Sequence, residues 1–365
     1  MYQSHAIERA RQPLPRRALA SVAGIRSGLL VMLATCTLAA PAGLTPQALR
    51  DAADYSASRG GNSLLVVQRG VTLLESYPNG GGPRTAHPIF SGTKAFFTLV
   101  ALVAAQDGLL RLDEPVANTI TEWRGDAPRS KITLRELMNF SDGLDPGFHL
   151  HSNKVRDRNA LALRTPAVAP RAAAFTYGPS HGQVLCEVLR RKLAPRGETP
   201  FGYLQLKLLD PLGLGAVPHR DDAKGMPLVA SGFRLSARQW SKFGLLVLGR
   251  GTFDGRVLVE EKGLAQCFEG TRANPMFGLG FWLNRGATRS GARECDIEEM
   301  LEKKWQQQEW QDRCICRNAP ADLVTVLGSD SQRLFVIPSL DLVIVRQGTS
   351  GRFSDAEFLR KILRH

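Results

Sequence analysis

A serine and a lysine three positions apart, Ser91 and Lys94, are of the residue types that carry out nucleophilic catalysis. A serine hydroxyl is a poor nucleophile until a base removes its proton, and a lysine can be that base only when burial favours its neutral amine. Residues at this spacing lie one turn apart on the same face of a helix. Because such a pair occurs by chance roughly once per chain of this size, its surroundings must decide whether it is catalytic.

The surroundings of Ser91 predict a helix N-terminus that follows a β-hairpin. Apolar and β-branched stretches at residues 63–69 and 71–77, divided by Gly70, are typical of two paired strands. From residue 95 to residue 110 the apolar residues recur at helical spacing, so a buried helix should begin at or next to Ser91. That helix would bury Lys94 and offer its first N–H groups to a developing oxyanion.

The remaining elements predict a sheet built from both ends of the chain. A helix should start at Thr45 and Pro46, and residues 110 to about 225 alternate Pro- and Gly-rich turns with short helices, which predicts a mainly helical lobe. The fold class is therefore expected to be α/β of the α+β type, with an antiparallel sheet flanked by helices. The later part of the chain should supply one more helix and four strands, at residues 235–248, 277–283, 323–327, 333–337 and 340–346.

A segment of different composition, residues 285 to about 320, interrupts the later strands. It is rich in charged residues and contains three consecutive glutamines, so we expect a helical insertion. Trp305 and Trp310 should pack this insertion onto the domain, and covering a substrate cleft is their alternative role. Residues 351–365 are expected to form a C-terminal helix, which leaves residues 43–350 as the main domain.

The first 42 residues have the pattern of a signal peptide. Five arginines precede an apolar run at residues 28–40, and this run is shorter than the roughly 20 residues of a membrane-spanning helix. We therefore expect a periplasmic or secreted protein. Cys36 stands in an imperfect lipoprotein box, and only its lipidation would bring the protein into contact with a membrane.

Composition argues against several other classes of protein. The 365 residues are 43% hydrophobic and 22% charged, as in ordinary globular domains. A formal net charge of +13 could suit a nucleic-acid binder, but the basic residues are dispersed and no zinc-finger or ribonucleoprotein motif occurs. We therefore expect no nucleic-acid partner, no metal and no other cofactor, and the sequence does not predict an oligomeric state.

An odd number of cysteines remains beyond residue 42. In an oxidising compartment Cys295 could form a disulfide with Cys314 or with Cys316. A zinc site is less favoured, because no histidine lies near this group in the sequence. The five cysteines are Cys186, Cys267, Cys295, Cys314 and Cys316.

From about residue 45 to 350 the chain resembles the β-lactamase-related serine hydrolases, which include class C β-lactamases, D-alanyl-D-alanine carboxypeptidases, family VIII esterases and aminohexanoate-oligomer hydrolases. Several segments in the family's order are far more specific than any one of them. They are FSGTK at 90–94, LDEPV at 112–116, ITLRELM at 132–138, SDGL at 141–144, FTY at 175–177, DPLGL at 210–214, ASGFRLS at 230–236 and GLGFWL at 278–283.

The resemblance implies a β-lactamase/transpeptidase-like fold and an acyl-enzyme mechanism. Ser91 would be acylated, Lys94 would orient and deprotonate it, and Tyr177 would act as general base and pass the proton to the leaving group. For that role Tyr177 should be held partly ionised by an adjacent cation, for which Lys94 is the candidate. The implied substrate is a small ester or amide, and a cell-wall peptide is a candidate for the natural substrate.

Two departures from the family's motifs bear on the substrate. The Tyr-x-Asn triplet reads Tyr177-Gly178-Pro179, so its amide is missing, and Ser180 or His181 could replace it.

The third motif, Lys-Thr-Gly or His-x-Gly, best matches residues 326–328, of which only Gly328 is kept. A β-lactam carboxylate thereby loses its cation, for which Arg333 could compensate. Backbone groups from Gly328 through Ser329 to Ser331 could still complete the oxyanion hole with the Ser91 N–H.

Three other interpretations compete with an esterase or amidase. β-Lactamase or D-Ala-D-Ala carboxypeptidase activity is the nearest, and a catalytically degenerate relative that binds peptidoglycan or a partner is the second. The third is an α/β-hydrolase, since residues 178–182 match the G-x-S-x-G elbow around Ser180. That fold requires an acid and then a histidine downstream, and only His219 and His365 follow, the first too soon and the second at the chain end. We therefore expect an exported serine hydrolase that acts through an acyl-Ser91 intermediate.

Overall fold

The computed structural model describes residues 44–349 and 352–364. The segment interpreted as a signal peptide, with Cys36, lies outside these residues. Among the described residues no helix is both long enough and apolar enough to cross a membrane.

A six-stranded antiparallel sheet forms the centre of the described chain, in the order β2-β1-β6-β5-β4-β3. The first hairpin therefore lies beside the last strand, and both chain ends contribute to one sheet, as the sequence predicts. The strands are β1 (Gly61–Gln68), β2 (Val71–Ser76), β3 (Trp282–Leu283), β4 (Val324–Gly328), β5 (Gln332–Ile337) and β6 (Leu342–Gly348).

Helices cover both faces of the sheet and fill the lobe that is inserted between its strands. They are α1 (Pro46–Ser58), α2 (Thr93–Gln106), α3 (Leu134–Asn139), α4 (Arg158–Ala162), α5 (Pro179–Leu193), α6 (Pro200–Leu204), α7 (Ala237–Leu248), α8 (Glu261–Ala265), α9 (Ile297–Glu302) and α10 (Asp355–Ile362). Between residues 110 and 225 the described elements are helices and turns with isolated bridges, which fits the predicted helical lobe.

Alternating residues of β1 separate two hydrophobic cores. Leu65 and Val67 face a core shared with α2 and α7, whereas Leu64 and Val66 face a core shared with α1 and α10. A strand buried on both faces must be apolar at nearly every position, which explains why the β1 sequence does not alternate between apolar and polar residues. The α2 helix is buried almost all round, so packing on every side fixes the position of its first turn.

Local signals in the sequence fix several elements correctly. The side chain of Thr45 caps α1, and Thr133 and Glu136 form the expected capping box at the start of α3. The predicted strand at residues 277–283 is wrong except at Trp282–Leu283, because the chain turns back at Gly280, where φ is +74°. A Cβ at Gly280 would lie 2.4 Å from Thr98 Oγ1, so this turn also needs glycine for space.

The segment at residues 285–320 is an insertion, but it is mostly not helical. It contains α9, two short 3-10 turns and a parallel pair of two-residue strands, Arg293–Glu294 and Arg313–Cys314. Its buried residues, among them Trp310, are spaced irregularly rather than at helical intervals, so tertiary packing shapes it. Trp310 packs 5.2 Å from the ring of Trp282, which confirms the packing role expected of it.

No disulfide joins Cys295 to Cys314 or to Cys316, and the five cysteines in the described chain are free thiols. In the parallel strand pair Cys314 lies opposite Glu294, so Cys295, the next residue, faces the other side. The Cys295 sulfur lies 3.8 Å from Met276 Sδ, and the Cys316 sulfur lies 3.8 Å from the Ala356 carbonyl.

Candidate active site

Ser91 lies in a 3-10 turn, Phe90–Gly92, that leads directly into α2. Phe90 has a φ of +44°, a conformation that is costly for a residue with a side chain and is typical of functional turns. Gly92 leaves room for Trp240, because a Cβ there would lie 2.9 Å from Trp240 Cζ2. The turn presents a half-buried Ser91 at the end of a rigid helix.

The Lys94 amine lies next to the Ser91 hydroxyl. Lys94 Nζ is 2.9 Å from Ser91 Oγ and donates a 2.8 Å hydrogen bond to the Ala230 carbonyl. Burial lowers the pKa of Lys94 from 10.5 to about 7, because the amine is removed from water without a carboxylate to stabilise its charge. At neutral pH a large fraction of Lys94 is therefore uncharged and able to accept a proton.

Tyr177 lies beside both of these residues. Its ring lies 4.8 Å from Lys94 Nζ and packs edge-on against Phe140, with 5.2 Å between the ring centres. Burial raises the pKa of Tyr177 to about 12, although a hydrogen bond with Ser91 acts in the opposite direction. The expectation of a partly ionised Tyr177 is therefore wrong, since desolvation outweighs any stabilisation by Lys94, and Tyr177 is a neutral phenol.

These three side chains open onto a cleft of about 440 Å³. Ser329 and Asp330, which follow β4, line one side of it, and Phe148 and His151 from the helical lobe line another. The strand passes very close to the Ser91 turn, because a Cβ at Gly328 would lie 2.1 Å from the Ile89 carbonyl oxygen. Gly328 is thus needed to bring the end of β4 beside the nucleophile.

The end of β4 meets the cleft with an apolar side chain. Val326 occupies the position of the Lys or His in the third motif. Its side chain faces the core and is 2% exposed, while its neighbour Leu327 lines the cleft. Among the described residues that line the cleft, Lys94 is the only lysine or arginine. The cleft therefore offers no second cation to a substrate carboxylate.

Arg333 does not take over the missing cation's role, so that expectation is wrong. It is fully buried on the sheet face that packs against α10, where its guanidinium binds Asp355 at 2.6 Å and Glu298 at 2.7 Å. Burial by itself would lower the pKa of Arg333, but the two carboxylates outweigh burial and raise the pKa well above the ordinary value for arginine.

Ser180 and His181 do not replace the missing amide of the second motif either. The Ser180 hydroxyl is buried and donates a 2.6 Å hydrogen bond to the Asp145 carbonyl. His181 Nδ1 lies 2.6 Å from Asp142 Oδ2 in the fully buried interior of the lobe. Both side chains bind the first turn of α5 to the loop that follows α3, and neither lines the cleft. A nucleophilic Ser180 is likewise inconsistent with this burial.

The residues whose backbone N–H groups are candidates for the oxyanion hole lie in different environments. Ser329 lines the cleft, whereas Ser331 is buried and its N–H donates to Glu298 Oε2 at 3.2 Å. Of the two, Ser329 is therefore the residue whose N–H can serve a substrate oxygen together with the Ser91 N–H.

A wall of carboxylates is the main feature of the cleft that the sequence alone did not reveal. Its members lie on the insertion around α9 and on the turn after β4. Ile297 and Met300 bury one face of α9, which turns its acidic side chains towards the cleft and solvent. The composition of the insertion was visible in the sequence, but its position beside Ser91 was not. The carboxylates are Asp296, Glu298, Glu299, Glu302 and Asp330.

His151 is a second cleft residue that sequence reasoning missed. Its Nδ1 lies 3.0 Å from the Ser231 hydroxyl, within the ASGFRLS segment. Burial, with a further contribution from the Lys94 charge, lowers the pKa of His151 to about 4. His151 is therefore neutral at physiological pH and adds no positive charge to the cleft. Within the described chain no group of three or more His, Cys, Asp or Glu side chains is arranged to hold a metal ion.

Comparison with known proteins relates this geometry to a family. A model of the Beta-lactamase family matches residues 47–346. No curated protein matches the sequence.

Several solved structures share the fold. A class C β-lactamase from Rhodobacter sphaeroides is 19% identical with a TM-score of 0.61, over 84% of this chain and 96% of that one. A penicillin-binding protein homologue from Caulobacter crescentus is 16% identical with a TM-score of 0.61, over 88% and 98% of the two chains. A penicillin-binding protein homologue from Pyrococcus abyssi is 16% identical with a TM-score of 0.59, over 85% and 73%. Since the family match extends over most of the sequence, from residue 47 to residue 346, the chain belongs to the Beta-lactamase family.

Proposed function

We propose that this protein is an exported serine hydrolase that cleaves small esters or amides through an acyl-Ser91 intermediate. The observation that carries the proposal is the 2.9 Å separation of Ser91 Oγ from a Lys94 amine whose pKa burial lowers to about 7. A neutral amine at that distance is within reach of the hydroxyl proton. Export rests on the N-terminal sequence pattern alone.

In the acylation step neutral Lys94 removes the Ser91 proton as Oγ attacks the substrate carbonyl. The N–H groups of Ser91 and Ser329 would stabilise the negative charge that develops on the carbonyl oxygen. The C–O or C–N bond of the substrate then breaks, and the leaving group takes a proton from the Tyr177 phenol, which is replenished from protonated Lys94. Water attacks the acyl carbon in the reverse sequence, which releases the acid and restores the Ser91 hydroxyl.

The charge of the cleft favours neutral or cationic substrates. A β-lactam carboxylate placed at the end of β4 would meet Leu327 and the carboxylate wall instead of a cation. A lost charge-assisted hydrogen bond costs about 1.5 to 3 kcal/mol, and repulsion between like charges adds to this cost. We therefore favour an esterase or amidase over a β-lactamase or a D-Ala-D-Ala carboxypeptidase.

Covalent labelling tests the nucleophile directly. The purified protein is treated with a fluorophosphonate, and the adduct is located by peptide mass spectrometry. We expect modification of Ser91, and no modification of Ser180 because its hydroxyl is buried and hydrogen-bonded. An intact, folded protein that remains unlabelled would favour the alternative of a degenerate relative that binds peptidoglycan or a partner without turnover.

A further inference from the structure

Two arginines lie directly behind the turn that joins β4 to β5. Arg333 on β5 and Arg346 on β6 are opposite each other in the sheet, and both are fully buried. Like charges in such a position repel each other, so they require counter-charges. Buried Asp355 from α10 and Glu298 from the insertion supply them, and both carboxylates bind Arg333.

This network binds the turn through its backbone. Arg333 donates to the Gly328 carbonyl at 3.1 Å, and Arg346 donates to the Ser331 carbonyl at 2.8 Å. Glu298 approaches from the cleft side and accepts the Ser331 N–H at 3.2 Å, while it also accepts from Arg333. Backbone groups on both sides of Ser329 and Asp330 are therefore hydrogen-bonded to the network. They are the carbonyl of Gly328 before these residues, and the N–H and carbonyl of Ser331 after them.

The turn needs external support because of its backbone conformation. Asp330 and Ser331 have φ angles of +58° and +59°, although neither is glycine. Left-handed residues with side chains cost free energy and persist only where the surroundings hold them in place. Ser329, the residue whose N–H faces the substrate oxygen in the proposed mechanism, directly precedes them.

We propose that Glu298 is a positioning residue that fixes the Ser329 N–H for oxyanion binding, so that the insertion takes part in catalysis without touching the reacting atoms. This inference rests on the proposed acyl-Ser91 mechanism. Glu298 is the member of the network that lies in the cleft wall, with 22% of its side chain exposed. Its removal would take the carboxylate acceptor away from the Ser331 N–H and leave Asp355 as the carboxylate that binds Arg333.

Kinetics of two Glu298 variants on a neutral p-nitrophenyl ester test the proposal. We expect Glu298→Ala to lower kcat at least about tenfold, since small misplacements of oxyanion donors are costly. KM should change by less than about threefold, because the contact acts mainly in the transition state. Glu298→Gln keeps an oxygen that can accept from Ser331 and Arg333, so its kcat should return to within about threefold of wild type.

Glu294 provides a matched control in the same insertion. Its carboxylate also accepts a backbone N–H, that of Arg317 at 2.8 Å, and binds an arginine, Arg360 at 2.7 Å, but it does not line the cleft. Glu294→Ala should therefore retain wild-type kcat even if its melting temperature falls as far as that of Glu298→Ala. Equal losses of kcat in the two alanine variants would overturn the positioning role.

Hydrogen exchange separates this inference from the proposed function. The amide of Ser331 should exchange faster in Glu298→Ala than in wild type, and this readout requires no substrate. Unchanged exchange at residues 329–331, wild-type kcat in Glu298→Ala, or equal damage in Glu298→Gln would each contradict the proposal. Failure of Ser91 labelling in the wild type would instead overturn the acyl-enzyme mechanism while leaving the exchange result interpretable.

Discussion

Ser91 and Ser180 carry the same hydroxyl group, but its surroundings differ. Ser91 is half-buried and faces a buried amine in an open cleft, whereas Ser180 is fully buried and donates to a carbonyl. We expect Ser91→Ala to abolish hydrolysis of p-nitrophenyl butyrate and Ser180→Ala to leave most of it. Release of p-nitrophenol by the two purified variants measures this, and the reverse pattern would mean that the wrong serine has been assigned.

Lys94 and Tyr177 should both be needed for turnover, and only Lys94 should set its pH dependence. Lys94→Ala and Tyr177→Phe should each lower kcat at least about 100-fold, the scale of a lost general acid or base. Because the pKa of Lys94 is about 7 and that of Tyr177 about 12, kcat/KM of the wild type should rise with pH to a plateau above about 7. A flat profile between pH 5 and 9 would exclude Lys94 as the base.

The buried Lys94 should also reduce the stability of the fold at low pH. Its pKa is about 7 in the folded chain and 10.5 unperturbed, so between these values the unfolded chain binds more protons. The contribution of this group to stability therefore falls by about 1.4 kcal/mol per pH unit as the pH drops from 10.5 to about 7, and it does not change further at lower pH. Lys94→Met should be more stable than wild type at pH 6, and thermal melts should show the difference shrinking towards pH 10.

Which side chains lie together could be predicted where the signal was local in sequence. Ser91 and Lys94 share one helical turn, so their spacing is sufficient to bring them together. The surroundings of Arg333 depend on Asp355 and Glu298, which lie on two other elements, and no local pattern reports them. The same holds for the pKa of Tyr177, which burial controls rather than the neighbouring Lys94.

At the scale of elements, α9 and its flanking turns should decide which substrates react. Their carboxylates form one wall of the cleft, and the side chain that the end of β4 presents to the cleft is the apolar Leu327. We expect kcat/KM to be at least about tenfold higher for a butyrate ester than for a chromogenic cephalosporin. Raising the salt concentration should reduce this difference in kcat/KM, because salt screens the repulsion between the cephalosporin carboxylate and the carboxylates of the cleft. Faster turnover of the cephalosporin would contradict the esterase interpretation.

Helices with clear caps and strands with clear hydrophobic runs were predictable, and the insertion was not. Thr45, Thr133 and Ser236 cap their helices as ordinary capping residues do. The insertion has a helix-like composition, but only α9 has apolar residues spaced for a helix. Its remaining shape follows from Trp310 and its neighbours packing against the sheet, which a pattern along the chain does not encode.

At the scale of the whole molecule, charge is unevenly distributed. The chain carries a formal net charge of +13, yet the cleft is lined by five carboxylates and one lysine. A net positive charge attracts anions at long range, whereas the acidic cleft suits a neutral or cationic ligand. Net charge alone therefore gives the wrong sign for the field that a substrate would meet near Ser91.

The position of β1 between β2 and β6 has a consequence for how the chain folds. Ser63 and Gln347 are joined by a side-chain hydrogen bond although they are 284 positions apart in sequence. Closing so long a loop costs entropy before the pairing is rewarded, and proteins of such high contact order fold slowly. Until β6 is available, the β1–β2 hairpin has the outer edge of β1 unpaired. Ser91 precedes most of the sheet in sequence, so its surroundings are complete only when β6 has paired with β1.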